Sequence, residues 1–439
     1  MPPHIVGLIW FVATFFFIIF LRMPLGPALG LCGFFGLAQL LGLSNAASMV
    51  GYIAWDAVVN YLFSAVPLFL LMGTLATVGG LSSDAFWGIR KWVGRLPGGL
   101  AITTVGACGA FAAVSGHSLA NAASMGTIAF GEMRKHGYDR KLAAGSICAG
   151  GTLGGMIPPS IPLLIIALLT EQPVGIILIA GFLPGILEML VYSTIIILLV
   201  KLKPGYGPPS EGSTWREKWA GLWKLWPVVT LFLSVMGGIY AGVFTPTEGA
   251  AIGAFVAAVL GFIKKTLTWR KILEALDSAA ISTGSLLFVL LGSLIFNAFL
   301  AHSQLPMWFS HTIAAMQSPA WVIVLLIVLL YLFLGATMST MAMILLTVPI
   351  TYGIMVTDLG FNGIWYAIII ERLVEIAAIT PPIGMICFAF QAALADQEKI
   401  PIGEVFKGII PFLIGDIVCL IILLVFPGFV LLLPNLMAR

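Results

Sequence analysis

Apolar segments long enough to cross a lipid bilayer as helices recur along the whole chain of 439 residues. Only 9% of the residues are charged, whereas soluble domains carry about 25%, so this composition cannot cover the surface of a water-soluble protein. The same apolar content excludes a disordered chain. The sequence therefore predicts an all-α polytopic membrane protein. The continuous apolar runs lie at 5–21, 25–41, 57–76, 142–169, 175–200, 228–243, 250–263, 279–300, 364–393 and 409–433.

The placement of lysine and arginine predicts how these runs cross the membrane, because cytoplasmic loops carry an excess of both residues. Four basic clusters, assigned to the cytoplasm, lie at 90–95, 134–141, 201–224 and 264–271. Loops without Lys or Arg, assigned to the outside, lie at 42–55, 170–173, 244–247, 301–319 and 352–363. This path puts the N-terminus on the outer side. The net charge of +3 is too small to indicate a nucleic-acid partner.

Two apolar stretches are interrupted near their middles and are predicted to be re-entrant hairpins. Residues 98–133 have basic loops at both ends, so this stretch enters and leaves on the cytoplasmic side, with its tip near 115–124. Each arm has about 16 residues, short of the ~20 needed to cross. Residues 319–351 have basic-free flanks and should enter from outside, with their tip near 335–340. Irregular backbone at such depth survives only when it is buried in protein or lines a wet cavity.

The two halves of the chain resemble each other at a separation of about 220 residues. Loops that are basic in one half correspond to basic-free loops in the other, so the halves are predicted to sit oppositely in the membrane. Inverted repeats with paired broken helices are typical of secondary transporters, whose site lies near the middle of the bilayer. The matching segments are 68–76 with 287–295, 23–30 with 245–253, and 156–162 with 378–384.

A run split by glycines and a proline pair follows each hairpin, at 146–164 and at 376–388. Proline removes a backbone donor and clashes with the preceding turn, so each helix must open there. Opened carbonyls can coordinate a hard cation such as Na⁺, and half-helix N-termini attract an anion. The alternative is two kinked helices with a purely structural role. Two breaks in symmetric places, each beside a polar hairpin tip, favour a binding site.

Polar residues cluster at both hairpin tips within otherwise apolar sequence. In the first tip, Ser115, Ser118, Asn121 and Ser124 surround Gly116. Bare hydroxyls and amides in hydrocarbon are costly unless satisfied, so these side chains either cap helices at the turn or contact a ligand. His117 is a possible proton carrier or a hydrogen-bonding residue. The matching residues of the second tip are Thr337, Ser339 and Thr340.

Ionisable residues inside membrane segments are candidates for function. Glu371, Arg372 and Glu375 precede the second break. Arg372 either attracts an anionic substrate or pairs with Glu371 or Glu375 on the same helix. Glu188 is a single acid in an apolar run, and Glu248 follows Thr-Pro-Thr, where the helix dipole stabilises it.

The segment 214–226 is predicted to be an amphipathic helix that lies in the cytoplasmic interface and contacts membrane lipids. It separates a first repeat at 1–200 from a second at 227–439, with the whole linker spanning 201–226. The helix face carries Trp215, Trp219, Trp223 and Trp226, surrounded by Arg216, Lys218 and Lys224.

Enzyme motifs are absent from the sequence. There is no GxxxxGK[ST] phosphate loop, HExxH motif, zinc-ligand spacing or nucleophile elbow, so we expect neither catalysis nor an organic cofactor. An intramembrane enzyme or assembly subunit is therefore disfavoured. Energy for transport must come from an ion gradient or from a partner.

The ordered motifs resemble one family along nearly the whole chain. GGLA (98–101), the Ser-Gly hairpin tip, IPPSIP (157–162), TPTEGAA (245–251) and ITPPIG (379–384) are similar to the large membrane subunit of tripartite ATP-independent periplasmic (TRAP) transporters, the DctM/SiaM type. The resemblance implies an elevator-type carrier of the ion transporter superfamily in the bacterial inner membrane, with a periplasmic N-terminus. It implies import of a small organic anion, a carboxylate or sulfonate, driven by two or more Na⁺ ions.

The resemblance also implies partners. They are a periplasmic substrate-binding protein of the DctP type and a small membrane subunit of the DctQ type. No additional four-helix unit precedes Met1, so the small subunit is expected to be a separate polypeptide. A stand-alone proton- or Na⁺-driven carrier of the same superfamily is the alternative.

Site residues can be carried over motif by motif. Ser115 and Ser160 would contact substrate or ion, and many relatives carry an acid where this chain has Met338. The substrate-binding residues predicted from the tips, the resemblance and the intramembrane charges together are Ser115, Ser118, Asn121, Ser160, Thr340 and Arg372. The Na⁺ ligands implied by the resemblance are Ser115, Gly150, Gly154, Pro158, Ala336, Thr337, Ala377 and Thr380.

Overall fold

Every regular element of the described chain is a helix. The computed structural model describes residues 1–209, 213–315, 318–335, 338–395 and 398–437. The helices of the first half are α1 (Pro3–Ile19), α2 (Leu25–Leu41), α3 (Leu43–Val59), α4 (Ala65–Val78), α5 (Leu81–Val93), α6 (Gly99–Ser115), α7 (Ser118–Met125), α8 (Gly131–Lys135), α9 (Arg140–Met156), α10 (Ile161–Leu169), α11 (Val174–Ala180) and α12 (Phe182–Leu202).

The helices of the second half follow the same alternation of long helices and short connections. They are α13 (Trp215–Lys224), α14 (Trp226–Phe232), α15 (Gly238–Tyr240), α16 (Pro246–Ile263), α17 (Trp269–Ser303), α18 (Leu305–Ala315), α19 (Ala320–Gly335), α20 (Thr340–Tyr352), α21 (Gly363–Ile379), α22 (Met385–Ala393), α23 (Ile402–Val425) and α24 (Pro427–Met437).

Seven helical segments of the described ranges are long and apolar enough to cross a membrane. An eighth is added if α13 and the segment Trp226–Tyr240, which meet at a bend of 42°, form one span. The prediction of an all-helical, multi-pass membrane protein is confirmed. The seven are Tyr61–Val78, Arg140–Leu169, Val174–Leu202, Pro246–Ile263, Trp269–Ser303, Thr340–Asp358 and Ile402–Val425.

Each of the two predicted hairpin segments contains two successive helices. In the first, α6 ends at Ser115, α7 begins at Ser118, and Gly116 adopts a left-handed φ of 60° between them. In the second, α19 ends at Gly335 and α20 begins at Thr340. With 17 and 16 residues, the leading arms α6 and α19 are apolar but shorter than a full span.

Helices α9 and α21 form the most deeply buried part of the protein. Every residue from 142 to 156 in α9 and from 365 to 379 in α21 is buried. The two helices pack against each other, and each ends at a proline pair. The chain resumes as α10 after residues 157–160 and as α22 after residues 380–384. Both predicted breaks are therefore present. The first is buried throughout, whereas Pro381 and Pro382 of the second are exposed.

Several segments predicted as loops are helical. Residues 42–55 form most of α3, and residues 301–319 contain α18. The basic cluster at 90–95 begins within α5. Polar residues within α3 and α18 interrupt the apolar sequence, so neither helix contains a long continuous apolar run.

The predicted linker helix is also shorter than expected. A capping box between Thr214 and Glu217 starts α13, which ends at Lys224. Trp226 opens the next helix, because Pro227 is suited to a first helical turn. Trp215, Trp219 and Trp223 remain exposed on α13, as an interfacial helix requires. A second capping box joins Thr245 and Glu248 at the start of α16 and explains Glu248.

Candidate functional site

A cavity of about 120 Å³ lies where both hairpin tips meet both helix breaks. Eight of its nine lining residues belong to the cap or the first two positions of helices α7, α10, α20 and α22. The ninth is Glu375 of α21. Four helix N-termini therefore converge on one small space. The lining residues are His117, Ser118, Leu119, Pro162, Ser339, Thr340, Met341, Glu375 and Met385.

The four helix N-termini determine the sign of the electrostatic potential in the cavity. The first N–H groups of a helix have no partner within the helix, and the aligned peptide dipoles place a partial positive charge at its N-terminus. Four such ends around one cavity attract an anion. The carboxyl group of Glu375 is the opposing charge on the wall.

The first hairpin tip is fitted tightly against the first break. The backbone N–H of Ile161 donates to the Gly116 carbonyl at 3.1 Å. A Cβ atom on Gly116 would lie 2.2 Å from the Pro159 carbonyl oxygen, and one on Gly154 would lie 2.8 Å from the backbone N of Ser118. Only glycine permits this approach, because any side chain would push the tip away from the break.

The second hairpin meets the second break in a similar way. A Cβ atom on Gly335 would lie 2.2 Å from the Ala377 Cβ, so the end of α19 is packed against the last turn of α21. Ser339 caps α20, because its Oγ accepts a hydrogen bond from the Ala342 N–H at 3.4 Å. The cap leaves Thr340 at the cavity wall.

The predicted substrate residues divide into two groups. Ser118 and Thr340 line the cavity, whereas Ser115, Asn121 and Ser160 are buried behind it. The Ser115 hydroxyl has no hydrogen-bond partner among the described residues. Substrate contact by any of these residues stays a prediction.

The side chains of Asn121 and Ser160 form hydrogen bonds with backbone groups. Asn121 Nδ2 donates to the Cys108 carbonyl at 3.0 Å. Ser160 Oγ donates to the Gly155 carbonyl and accepts from the Leu163 N–H, so it caps α10. Ser160 is therefore engaged as a helix cap in this structure.

The Na⁺ ligands implied by the resemblance cluster at the ends of α9 and α21. Gly154 and Ala377 lie in the last turns, where helix carbonyls lose their usual partners, and Gly150 lies one turn earlier in α9. Pro158 belongs to the first break, and the Thr380 hydroxyl, at the second, donates to the Ile376 carbonyl at 2.6 Å. Ala336 and Thr337 lie outside the described residues. The ion-binding roles stay predictions.

Arg372 does not pair with Glu371 or Glu375, and that alternative is wrong. Its guanidinium Nη1 lies 2.5 Å from Glu188 Oε2, and Nη2 forms an ion pair with Asp416. Glu371 is adjacent in sequence and points in a different direction, and the guanidinium is directed to acids of two other helices instead of to Glu375. Arg372 is 1% exposed and is absent from the cavity lining. A substrate contact by Arg372 remains only a prediction.

The arginine cluster ties four helices together. Thr152 of α9 donates to Glu188 Oε1 at 2.6 Å, and the Tyr192 hydroxyl of α12 lies within hydrogen-bonding distance both of the same oxygen, at 2.8 Å, and of Asp416 in α23. With Arg372 from α21, the cluster joins both broken helices to α12 and α23. Glu188, the one acid in the apolar run 175–200, is thus a structural partner of Arg372.

Some residues that line the cavity were not predicted from the sequence. Leu119, Pro162, Met341 and Met385 carry no polar signal, and their only mark is proximity to a turn or break. Asp416, which completes the arginine cluster, was detectable as an acid inside the apolar run 409–433.

One family model matches residues 12–429 of the chain: tripartite ATP-independent periplasmic transporter, DctM component. The C4-dicarboxylate TRAP transporter large permease protein DctM of Pseudomonas aeruginosa is 33% identical over 93% of this chain and 94% of its own length. The sialic acid TRAP transporter large permease protein SiaM of Vibrio cholerae is 30% identical over 95% and 96%. The isethionate TRAP transporter permease protein DctMQ of Oleidesulfovibrio alaskensis is 29% identical over 85% of this chain and 59% of its own length.

Two solved structures share the fold. The Alcanivorax borkumensis YdaH transporter superposes with a TM-score of 0.60 at 17% identity, covering 98% of this chain and 99% of that one. Neisseria gonorrhoeae MtrF superposes with a TM-score of 0.60 at 13% identity, covering 90% of this chain and 85% of that one. At these identities the likeness shows the architecture alone.

Proposed function

The chain belongs to the family of TRAP transporter large membrane subunits of the DctM type, and from this membership we propose that it is the transport subunit of a Na⁺-coupled importer of a small organic anion. The matched proteins are transporter permeases rather than enzymes. We place it in the bacterial inner membrane with a periplasmic N-terminus. It acts with a separate small subunit and with a periplasmic protein that delivers the substrate.

The convergence of four helix N-termini on one cavity is the observation that carries this proposal. An anion entering the cavity replaces its water shell with backbone N–H groups and helix dipoles, without needing a buried basic side chain. Ser118, Ser339 and Thr340 add hydroxyl donors on the walls. A carboxylate or sulfonate suits this set of donors.

The names of the relatives support the same class of substrate. They specify a C4-dicarboxylate, sialic acid and isethionate, which are all organic acids. The cavity of about 120 Å³ favours the smaller members of this class in the conformation described.

Coupling to Na⁺ is the second part of the proposal. The carbonyls at the ends of α9 and α21 are the oxygen donors that a hard cation prefers, and they flank the anion cavity. Two or more Na⁺ ions there would offset the charge of the bound substrate. In an elevator movement the hairpins and broken helices would carry this site across the membrane as one block.

The Na⁺ requirement can be tested by reconstitution. Proteoliposomes containing this chain and its small subunit, with the binding protein outside, should take up labelled C4-dicarboxylate, sialic acid or isethionate when Na⁺ is higher outside. Replacing external Na⁺ with choline should reduce uptake to background. Uptake that persists in choline would contradict Na⁺ coupling. Uptake without the binding protein would favour the stand-alone carrier.

Ser115→Ala tests the first hairpin tip. The Ser115 hydroxyl has no partner among the described residues, so its removal should leave the fold stable. A bound ion or anion would lose one oxygen contact, and we expect uptake to fall by about tenfold or more, as for a hydrogen bond to a charged group. Initial uptake rates per folded transporter provide the measurement.

Thr194→Ala is the matched control for Ser115→Ala. The Thr194 hydroxyl is exposed on α12 and donates only to the Leu190 carbonyl of its own helix. Its removal should leave uptake unchanged. Equal rates for wild-type protein and Ser115→Ala would remove Ser115 from the site.

A further inference from the structure

Negative charge is in excess in the buried core. Among the described residues the buried charged side chains are four acids and one arginine. Arg372 is already engaged by Glu188 and Asp416, which leaves Glu371 and Glu375 without a cation. A buried unpaired carboxylate is strongly disfavoured, so these two groups need either a proton or a cation.

Glu371 and Glu375 share one face of α21. They are four residues apart, which places their side chains on the same side of the helix. Both press against Gly155 at the end of α9, where a Cβ atom would lie 2.1 Å from Glu375 Oε1 and 2.2 Å from Glu371 Oε1. Glycine at this position makes room for the pair.

The carboxyl groups of Glu371 and Glu375 have few hydrogen-bond donors around them. Ser118 Oγ of the first hairpin tip lies 2.5 Å from Glu375 Oε1 and is the one donor seen among the described residues. Both oxygens of Glu371, a fully buried residue, and Oε2 of Glu375 have no hydrogen-bond partner there. Several oxygens therefore converge with unused lone pairs, as in an oxygen-ligand site for a hard cation.

We propose that Glu371 and Glu375, together with the Ser118 hydroxyl, bind one Na⁺ ion between α21, α9 and the first hairpin tip. The choice of Na⁺ rests on the proposed function. This site uses carboxylate side chains and is additional to the backbone carbonyls expected at the two breaks.

The location connects this cation with the substrate. Glu375 and Ser118 both line the anion cavity, so an empty site leaves a negative charge on its wall. Bound Na⁺ removes that repulsion and also holds the hairpin tip through Ser118. Cation binding therefore raises anion affinity, and by linkage anion binding raises cation affinity.

Binding of ²²Na⁺ to the purified chain in detergent tests the site, with choline chloride keeping ionic strength constant. We expect Glu371→Gln and Glu375→Gln each to bind one Na⁺ fewer per chain than the wild type at saturation. If the wild type and both variants bind equal numbers of Na⁺ ions per chain, the proposed site is overturned. A proton shared by Glu371 and Glu375 would then neutralise the pair. Absence of any Na⁺ binding by the wild type would overturn both this site and the Na⁺-coupled function.

Two further variants distinguish loss of a Na⁺ ligand from loss of the fold. Glu188→Gln changes another buried acid, one that keeps Thr152 and Tyr192 as neighbours, and it should bind the full number of Na⁺ ions. Ser118→Ala leaves both carboxylates in place and should weaken the affinity of one Na⁺ by about tenfold. Unchanged affinity of every Na⁺ in Ser118→Ala would exclude this residue as a ligand and overturn the site as proposed.

Discussion

Arg372→Met should destabilise the folded protein by about 3–5 kcal/mol, because it leaves Glu188 and Asp416 buried together without a counter-charge. All three side chains are at most 1% exposed, so water cannot replace the guanidinium. The cluster joins four helices, and its loss should loosen both broken helices at once. Thermal unfolding of the detergent-purified protein, followed by intrinsic fluorescence, measures the change.

Arg270→Met is the control for Arg372→Met. Arg270 is 91% exposed on α17 and pairs only with Glu274 one turn away, so its replacement should change stability by less than about 1 kcal/mol. Adding Glu188→Gln and Asp416→Asn to Arg372→Met should restore part of the loss, because the unpaired charges are then gone. An unfolding temperature of Arg372→Met equal to that of the wild type would show that the cluster does not stabilise the fold.

Gly116→Ala should abolish uptake. The residue has a left-handed φ of 60°, which costs a non-glycine residue about 1–2 kcal/mol, and its new Cβ would lie 2.2 Å from the Pro159 carbonyl oxygen. The hairpin tip must then move away from the first break and open the cavity wall. A displacement of about 1 Å at a binding site can cost about 100-fold in rate, and we expect a loss of that order in initial uptake.

Gly42→Ala separates the effect of the clash from that of the backbone conformation. Gly42 also has a positive φ, of 85°, but a Cβ atom there would meet no atom within 4 Å. Its ψ of 155° puts Gly42 in a backbone region that costs another residue about 1–3 kcal/mol, at least as much as at Gly116, so this variant carries the conformational cost without the clash and should keep near-normal uptake. Equal uptake by both variants would contradict the tight fit between tip and break.

Local sequence signals were sufficient for the class of fold and the family. Hydrophobic run length indicated a helical multi-pass protein, and proline pairs marked both helix breaks. The polar tip at 115–124 contains the turn between α6 and α7. These signals are local because a helix is stabilised by bonds between near neighbours, and proline disrupts it wherever it stands.

Helices that contain no long apolar run were harder to predict from the sequence. Helices α3 and α18 were predicted as loops, because each mixes polar and apolar residues and has no long apolar run. The partners of Arg372 were missed for a different reason. Glu188 lies 184 residues before Arg372, Asp416 lies 44 after it, and neither is nearer in sequence than Glu371 or Glu375.

The sequence by itself determined that the chain lies in a membrane, where its helices open, and to which family it belongs. Tertiary structure alone decided which of its few charges neutralise one another and that four separate helix starts face one cavity. The physical reason is that burial in hydrocarbon and backbone hydrogen bonding act on each segment locally. Charge pairing and the convergence of helix dipoles depend on distances between segments that only packing brings together.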